Sequence, residues 1–285
     1  MKSWIQASRP LAHVNIAVPL VLGQVAAWHV TGHFDVRWFV AALAWGVLDH
    51  LFVIFANDFA DRGADSGRRT LLSGGSGVIP EGKLTPRQVA RAAAAAAVLL
   101  MLYSCVLALA GRAWTPLYGI AALLLMWLYS FAPARLSYRG GGELLQGIGM
   151  GVGLPSLGYY LQLEGPLAPG WLIAPAALLG VCGNVLTALP DVDDDTRAHK
   201  RTWPVRHGMQ PARRFASAGI AFAAFGVFLW TPWVSVPAKA VVAIVPLLPL
   251  LVGARAVDAL PAWWSSIALN LLVVLWMLAM LDHQA

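Results

Sequence analysis

Apolar stretches of about 20 residues, the length a helix needs to cross a bilayer core, recur along nearly the whole chain and constrain its fold more than any other feature. They centre on residues 11–30, 38–57, 88–110, 114–133, 143–162, 171–189, 212–231, 238–254 and 262–281, with polar or Pro/Gly-rich stretches between them. No water satisfies the backbone inside a membrane, so only helices and closed barrels span it; without sheet-like alternation, these runs read as helices. Of the 285 residues, 59% are hydrophobic and 12% charged, where a soluble domain carries about 25% charged residues. The expectation is an all-α polytopic membrane protein of nine transmembrane helices, one domain over residues 1–285 without a soluble appendage. The first run follows Lys2 and Arg9 as the core of a signal peptide would, but it is long for one and further spans follow.

A formal charge of +6 in a soluble protein would raise the question of nucleic acid. Here the charges are sorted by span. With the N-terminus on one side, that side collects 17 of the 20 basic residues, and only Arg37, Arg112 and Lys239 fall opposite. The positive-inside rule puts the N-terminus and the loops after even-numbered spans in the cytoplasm and the C-terminus outside, in what we expect to be a bacterial cell membrane. Neither nucleic acid nor an obligate protein partner is expected. Cys105 and Cys182 lie inside spans, without metal-ligand spacing, and read as small core residues.

Orientation does not explain why two cytoplasmic loops are also acidic. The second span ends in Asn57-Asp58-Phe59-Ala60-Asp61-Arg62-Gly63-Ala64-Asp65. If the helix continues, Asn57, Asp61 and Asp65 share one face and Asp58 lies close to it. The sixth span ends in Asp191-Val192-Asp193-Asp194-Asp195, where Asp191 and Asp195 are again one turn apart. Four acids within five residues repel one another unless a cation sits among them, and hard oxygen donors suit Mg²⁺, which binds through a few carboxylates plus substrate phosphates. Cations follow both clusters: Arg68 and Arg69 after the first, Arg197, Lys200, Arg201 and Arg206 after the second. Carboxylates for metal beside Arg and Lys for phosphate oxygens describe a Mg²⁺-diphosphate site. One acidic loop could be merely solvated. Two on one side, each followed by cations, point to a site.

These residues resemble a known family. Asn57-Asp58-x-x-Asp61-x-x-x-Asp65 resembles the first signature of the UbiA superfamily of intramembrane aromatic prenyltransferases, and Asp191-x-x-x-Asp195 before Lys200-Arg201-Thr202 resembles the second. Arg9-Pro10, Gly82-Lys83-Leu84-Thr85 and Tyr129-Ser130-x-x-Pro133-x-Arg135-Leu136 extend the likeness over most of the chain. Tyr138-Arg139-Gly140, Gly142-Glu143-Leu144, Gly158-Tyr159-Tyr160 and Lys200-Arg201-Thr202-x-x-Val205-Arg206-x-Gly208 look like the 1,4-dihydroxy-2-naphthoate polyprenyltransferase branch of menaquinone synthesis. There are departures: His199 stands where that branch usually has Gly, Pro190 where it has Arg, and Ser137 where it has a basic residue.

The resemblance implies a UbiA-type bundle around a central cavity and Mg²⁺-dependent transfer of an isoprenyl group from an allylic prenyl diphosphate to a small aromatic, quinone-precursor-like acceptor within the bilayer. Asn57, Asp58, Asp61, Asp65, Asp191 and Asp195 are the expected metal ligands, Asp61 and Asp191 being essential to catalysis. Arg68, Arg69, Arg135, Lys200 and Arg201 are expected on the diphosphate, and Tyr129 is the candidate ring facing the allylic carbon. Glu143 and Asn184 are acceptor candidates. Asp49 and His50, mid-span on the approach to Asn57, are an ionisable pair at membrane depth; Gln146, Asn184 and Thr187 are expected to line the same cavity. Gly147, Gly149, Gly151 and Gly153 read as a packing surface or as a kink around a ligand. The alternatives are a membrane terpene cyclase or a transferase with a non-aromatic acceptor, and, in another class, a cation transporter. Against the last, transporter sites lie near the midplane rather than at helix ends among cations.

Overall fold

The computed structural model describes residues 1–63, 75–165, 167–231, 235–255 and 260–282, and among them every regular element is a helix. A short helix α1 (Lys2–Ser8) and a 3₁₀ turn (Pro10–His13) lead into α2 (Val14–Thr31). Arg9 at the joint has φ 42° and breaks the helix, which lets the chain turn from the surface into the bundle. Then come α3 (Val36–Ala60), α4 (Pro86–Leu109), α5 (Thr115–Ser130), α6 (Leu136–Arg139), α7 (Gly142–Gln146), a π segment (Gly147–Gly153) and α8 (Leu154–Leu163). The remainder is α9 (Gly170–Ala188), α10 (Val192–Arg197), α11 (Trp203–His207), α12 (Met209–Trp230), α13 (Val236–Ile244), α14 (Leu247–Arg255) and α15 (Leu260–Asp282).

Among the described residues, six helical stretches are long and apolar enough to cross a membrane: Lys2–Thr31, Val36–Ala60, Pro86–Leu109, Gly170–Ala188, Met209–Trp230 and Trp264–Leu281. Thr115–Ser130 and Val236–Leu251 are shorter apolar helices. The eighth apolar run is broken between α13 and α14 at Pro246, which lacks the N–H a continuous helix requires. The fifth is one helical rod from α7 to α8 with the π segment in its middle. Local signals set the starts: Thr85 and Gln88 form a capping box ahead of α4, and Asp35 caps α3 by accepting the Arg37 N–H.

α2 packs along α8, α3 along α4, and α9 against both α12 and the π segment. Backbones meet closely where glycine removes the side chain. A Cβ on Gly151 would lie 2.3 Å from Ala176 O, and one on Gly147 would lie 2.5 Å from a Val181 methyl. The other two glycines of the segment, Gly149 and Gly153, line the cavity instead. So Gly147 and Gly151 pack on α9 while Gly149 and Gly153 line the cavity; π turns of this kind recur at functional sites. Between the cluster around α9, α12 and α15 and those around α3 and α4 lies a cavity of about 380 Å³.

Candidate active site

At the mouth of that cavity α3 ends at Ala60, with Asp61 as its C-cap and the Asp61 N–H on Asn57 O at 2.8 Å. The helix therefore stops before it could carry the 57–61 face onward, and Asp65, Arg68 and Arg69 lie outside the described residues. Asn57, Asp58 and Asp61 all line the cavity. The second acidic cluster sits on a helix of its own rather than on the end of α9: the chain breaks at Pro190, and Asp191 becomes the N-cap of α10. The Asp195 N–H bonds Asp191 O at 2.8 Å, so the two remain one turn apart and both line the same cavity. Asp193 is exposed, and Asp194 pairs with Arg197.

Lys200 joins the two motifs. The His199 and Lys200 backbones fold back on α10, the Lys200 N–H reaching Asp195 O at 2.8 Å. Its Nζ donates to Asp61 Oδ2 at 2.9 Å and lies 3.6 Å from Asp195 Oδ1. Burial alone would push this ammonium down, but Asp61 and Asp195 outweigh it and raise its pKa above the ordinary lysine value, so the charge stays. Burial raises the Asp195 carboxyl, with Lys200 opposing. Tyr138 donates its hydroxyl to Asp61 Oδ1 at 2.8 Å; burial first, then the Asp61 charge, push it up to about 12. Thr202 donates to Asp195 at 3.2 Å, Ser130 to Asn57 at 3.2 Å, and Ser76 gives Asp58 both its N–H, at 3.1 Å, and its hydroxyl. Every acid of the first motif within the described residues thus has an ordered partner.

The other expected residues are placed as follows. Tyr129 lines the cavity and accepts a 3.4 Å hydrogen bond from Asn184 Nδ2, a cavity residue like itself. Asp49, His50, Gln146 and Thr187 line it too. Asp49 is 4% exposed, with its Oδ1 unpartnered, and His50 Nε2 lies 3.0 Å from Ser8 O. Glu143 is buried but does not line the cavity; it accepts the Trp203 N–H at the start of α11. Arg135 lies over the Tyr138 ring, 3.5 Å from its centre, and Arg201 is exposed.

The departures have physical correlates. His199 has φ 56°, in the left-handed region that suits glycine and that histidine tolerates better than most residues. Ser137 donates to Tyr129 O at 2.7 Å and lines the cavity, tying α6 to the end of α5. Sequence reasoning gave Tyr138 and Thr202 no site role, although both stand within quoted motifs. Ser76, 18 positions after Asp58, stands outside every quoted motif.

Residues 16–261 match the model of the UbiA prenyltransferase family. The chain belongs to that family. It is 26% identical over 231 residues, 79% of this chain and 71% of the other, to the 1,4-dihydroxy-2-naphthoate octaprenyltransferase of Bacillus subtilis. Solved UbiA homologues share its fold. One from Archaeoglobus fulgidus, bound to DMAPP and Mg²⁺, has TM-score 0.69 at 17% identity and covers 98% of this chain and 99% of its own. One from Aeropyrum pernix has TM-score 0.66 at 16% identity, covering 96% and 97%. This UbiA-family chain is an integral membrane protein and a prenyltransferase.

Among the described residues no three His, Cys, Asp or Glu gather into a cage. The oxygen donors instead face one cavity from two elements. That fits Mg²⁺, which binds through one or two carboxylates plus substrate phosphates and keeps several waters.

Proposed function

We propose that this UbiA-family enzyme transfers an isoprenyl group from an allylic prenyl diphosphate to a small aromatic, quinone-precursor-like acceptor inside the membrane. The observation that carries the reading is that Asp58 and Asp61 at the end of α3, and Asp191 and Asp195 on α10, line one cavity with Lys200 between them. Asn57, Asp58, Asp61, Asp191 and Asp195 would hold Mg²⁺, with Asp65 as a further ligand. Mg²⁺, when bound, supplies positive charge that makes the diphosphate a better leaving group.

The chain's own residues do the rest. Lys200 meets the diphosphate oxygens, with Arg135, Arg201, Arg68 and Arg69 as the further cations around it, and negative charge developing on the leaving group is stabilised there. The C1–O bond breaks, its electron pair leaving with the diphosphate. The Tyr129 ring, oriented by Asn184, faces the allylic cation, and the apolar walls keep water from it. A carbon of the acceptor ring then bonds C1 and that carbon's proton is released. The bundle crosses the membrane nine times as a single domain: the six long spans, α5, the α7–α8 rod and the α13–α14 pair. Its N-terminus and acidic loops lie in the cytoplasm of a bacterial cell, and its C-terminus lies outside.

The test is to incubate purified protein with Mg²⁺, several prenyl diphosphates and a panel of dihydroxynaphthoate-like and hydroxybenzoate-like acceptors, and to identify products by mass. A C-prenylated aromatic supports the reading. Cyclised or hydrolysed isoprenoid as the sole product sinks it.

A further inference from the structure

The cavity has a floor. On α3 its wall is one unbroken stripe, Asp61, Asn57, Val53, Asp49 and Trp45, each one turn deeper than the last, and no α3 residue beyond Trp45 lines it. On α5 the stripe runs from Tyr129 to Tyr118, and on the rod from Leu145 to Leu154. Three walls thus end on Trp45, Tyr118 and Leu154, of which Trp45 and Leu154 belong to one buried cluster and Tyr118 packs against it. Behind them the packing is solid: Leu20, Leu100, Leu157 and Leu161 are fully buried in the cluster that contains Trp45 and Leu154. Trp45 is 2% exposed, and its indole N–H donates to Ser104 Oγ at 2.9 Å, which donates in turn to Leu100 O. Tyr118 is held by stacking on Tyr160, with ring centres 5.9 Å apart.

The depth can be measured along the helices. Asn57 to Trp45 is about 18 Å and Tyr129 to Tyr118 about 16 Å at 1.5 Å per residue. An isoprene unit adds four backbone bonds where a peptide residue adds three, so scaling the reach of a peptide gives roughly 5 Å per extended unit. We propose that Trp45, with Tyr118 beside it, sets the donor length of this enzyme, admitting about three isoprene units below the diphosphate. The proposal rests on the function given above and deepens it, naming a fifteen-carbon class of donor.

The cavity also has a side branch of about 140 Å³ between α2, α9 and α15, which shares Asn15, Gln146, Met150 and Thr187 with it. A longer tail that left by this branch would never meet Trp45. The two routes are therefore separable by substitution at the floor.

The experiment compares wild type, Trp45→Ala and Ala122→Phe, the last adding a ring to the wall one turn above Tyr118. Each is given C10, C15, C20 and C30 prenyl diphosphates with Mg²⁺ and one acceptor. The readout is the ratio of kcat/KM between lengths within each variant, which a general loss of activity does not move. We expect a C20-to-C15 ratio below one in wild type, at least tenfold higher in Trp45→Ala, and a C15-to-C10 ratio at least tenfold lower in Ala122→Phe. Should Trp45→Ala fail to insert, Tyr118→Ala opens the same floor from α5. Thermal shifts with unreactive thiolodiphosphate analogues of each length read the floor without turnover. If no acceptor reacts yet the length dependence of binding moves with Trp45, the floor stands and the transfer reading falls. Length ratios identical in wild type and all floor variants overturn the floor and assign the tail to the side branch, whatever the enzyme makes.

Discussion

Lys200 Nζ donates to Asp61 Oδ2 at 2.9 Å across 139 positions of sequence, and that single contact closes the ring between the two acidic motifs. The lysine's side chain is 14% exposed and that of Asp61 6%, so neither charge is tolerable alone. Removing one partner of such a buried pair costs about 3–5 kcal/mol. Lys200→Met is therefore expected to lower the apparent melting temperature in chelator, and Mg²⁺ with a prenyl diphosphate should recover part of the loss by restoring positive charge beside Asp61 and Asp195. Its kcat/KM for donor should fall at least tenfold. A variant with unaltered melting and unaltered kinetics would remove Lys200 from the site.

Asp61→Ala and Asp191→Ala should each lower turnover by at least about a hundredfold, the scale on which single electrostatic groups act in transition states. Both proteins are expected to insert and to run as monodisperse species in gel filtration, with a lowered melting temperature for Asp61→Ala because that change removes the partner of the buried Lys200. Full activity in either would contradict the ligand assignment.

Turnover should vanish in excess chelator and return with Mg²⁺ or Mn²⁺. Ca²⁺ should restore it poorly, since it prefers more ligands at longer bonds than a diphosphate and a few carboxylates offer. Product formation against metal concentration measures this, and undiminished activity in chelator would contradict it.

Tyr129→Phe keeps a ring in the cavity and should cost only a few-fold in kcat. Tyr129→Ala removes the ring, and at about 2 kcal/mol for a desolvated cation–π contact it should cost roughly thirtyfold. Equal losses in the two variants would show that the hydroxyl held by Asn184, and not the ring face, is what matters.

His199→Gly should raise the apparent melting temperature slightly or leave it unchanged, because relief of a left-handed histidine, worth about 1 kcal/mol, is partly offset by glycine's greater freedom in the unfolded chain. A clear drop would mean that the imidazole makes a contact more valuable than the backbone strain.

The helical class was legible because a bilayer leaves an apolar run of about 20 residues few alternatives; α3 and α9 begin and end within a few residues of their expected limits. Breaks inside the apolar runs were harder to read. Pro246 interrupts its helix, and the glycines at 147–153 shift theirs into a π turn, because hydrophobicity counts residues without sensing how the backbone bends between them. The acids at the mouth were visible as i, i+4 pairs. Their partners were not: Ser76 reaches Asp58 across 18 positions, and Tyr138 reaches Asp61 across 77. Glu143 shows the converse. Its burial follows from capping α11 at the Trp203 N–H, a role that nothing in its own neighbourhood of sequence announces.

The π segment divides its glycines by face, and mutational tolerance should divide with them. At Gly151 a methyl group would collide with the α9 backbone, and the rod could accept it only by moving away from its neighbour. At Gly149 the nearest atom to an added methyl is a Leu125 side-chain carbon at 3.8 Å, an ordinary contact, and the methyl would project into the cavity. Alternate glycines of one short segment are thus a fixed seam and an adjustable wall. An engineer who wished to resize the chamber for a different acceptor could thicken it at Gly149 in single-carbon steps while leaving untouched the seam that holds α9 in place.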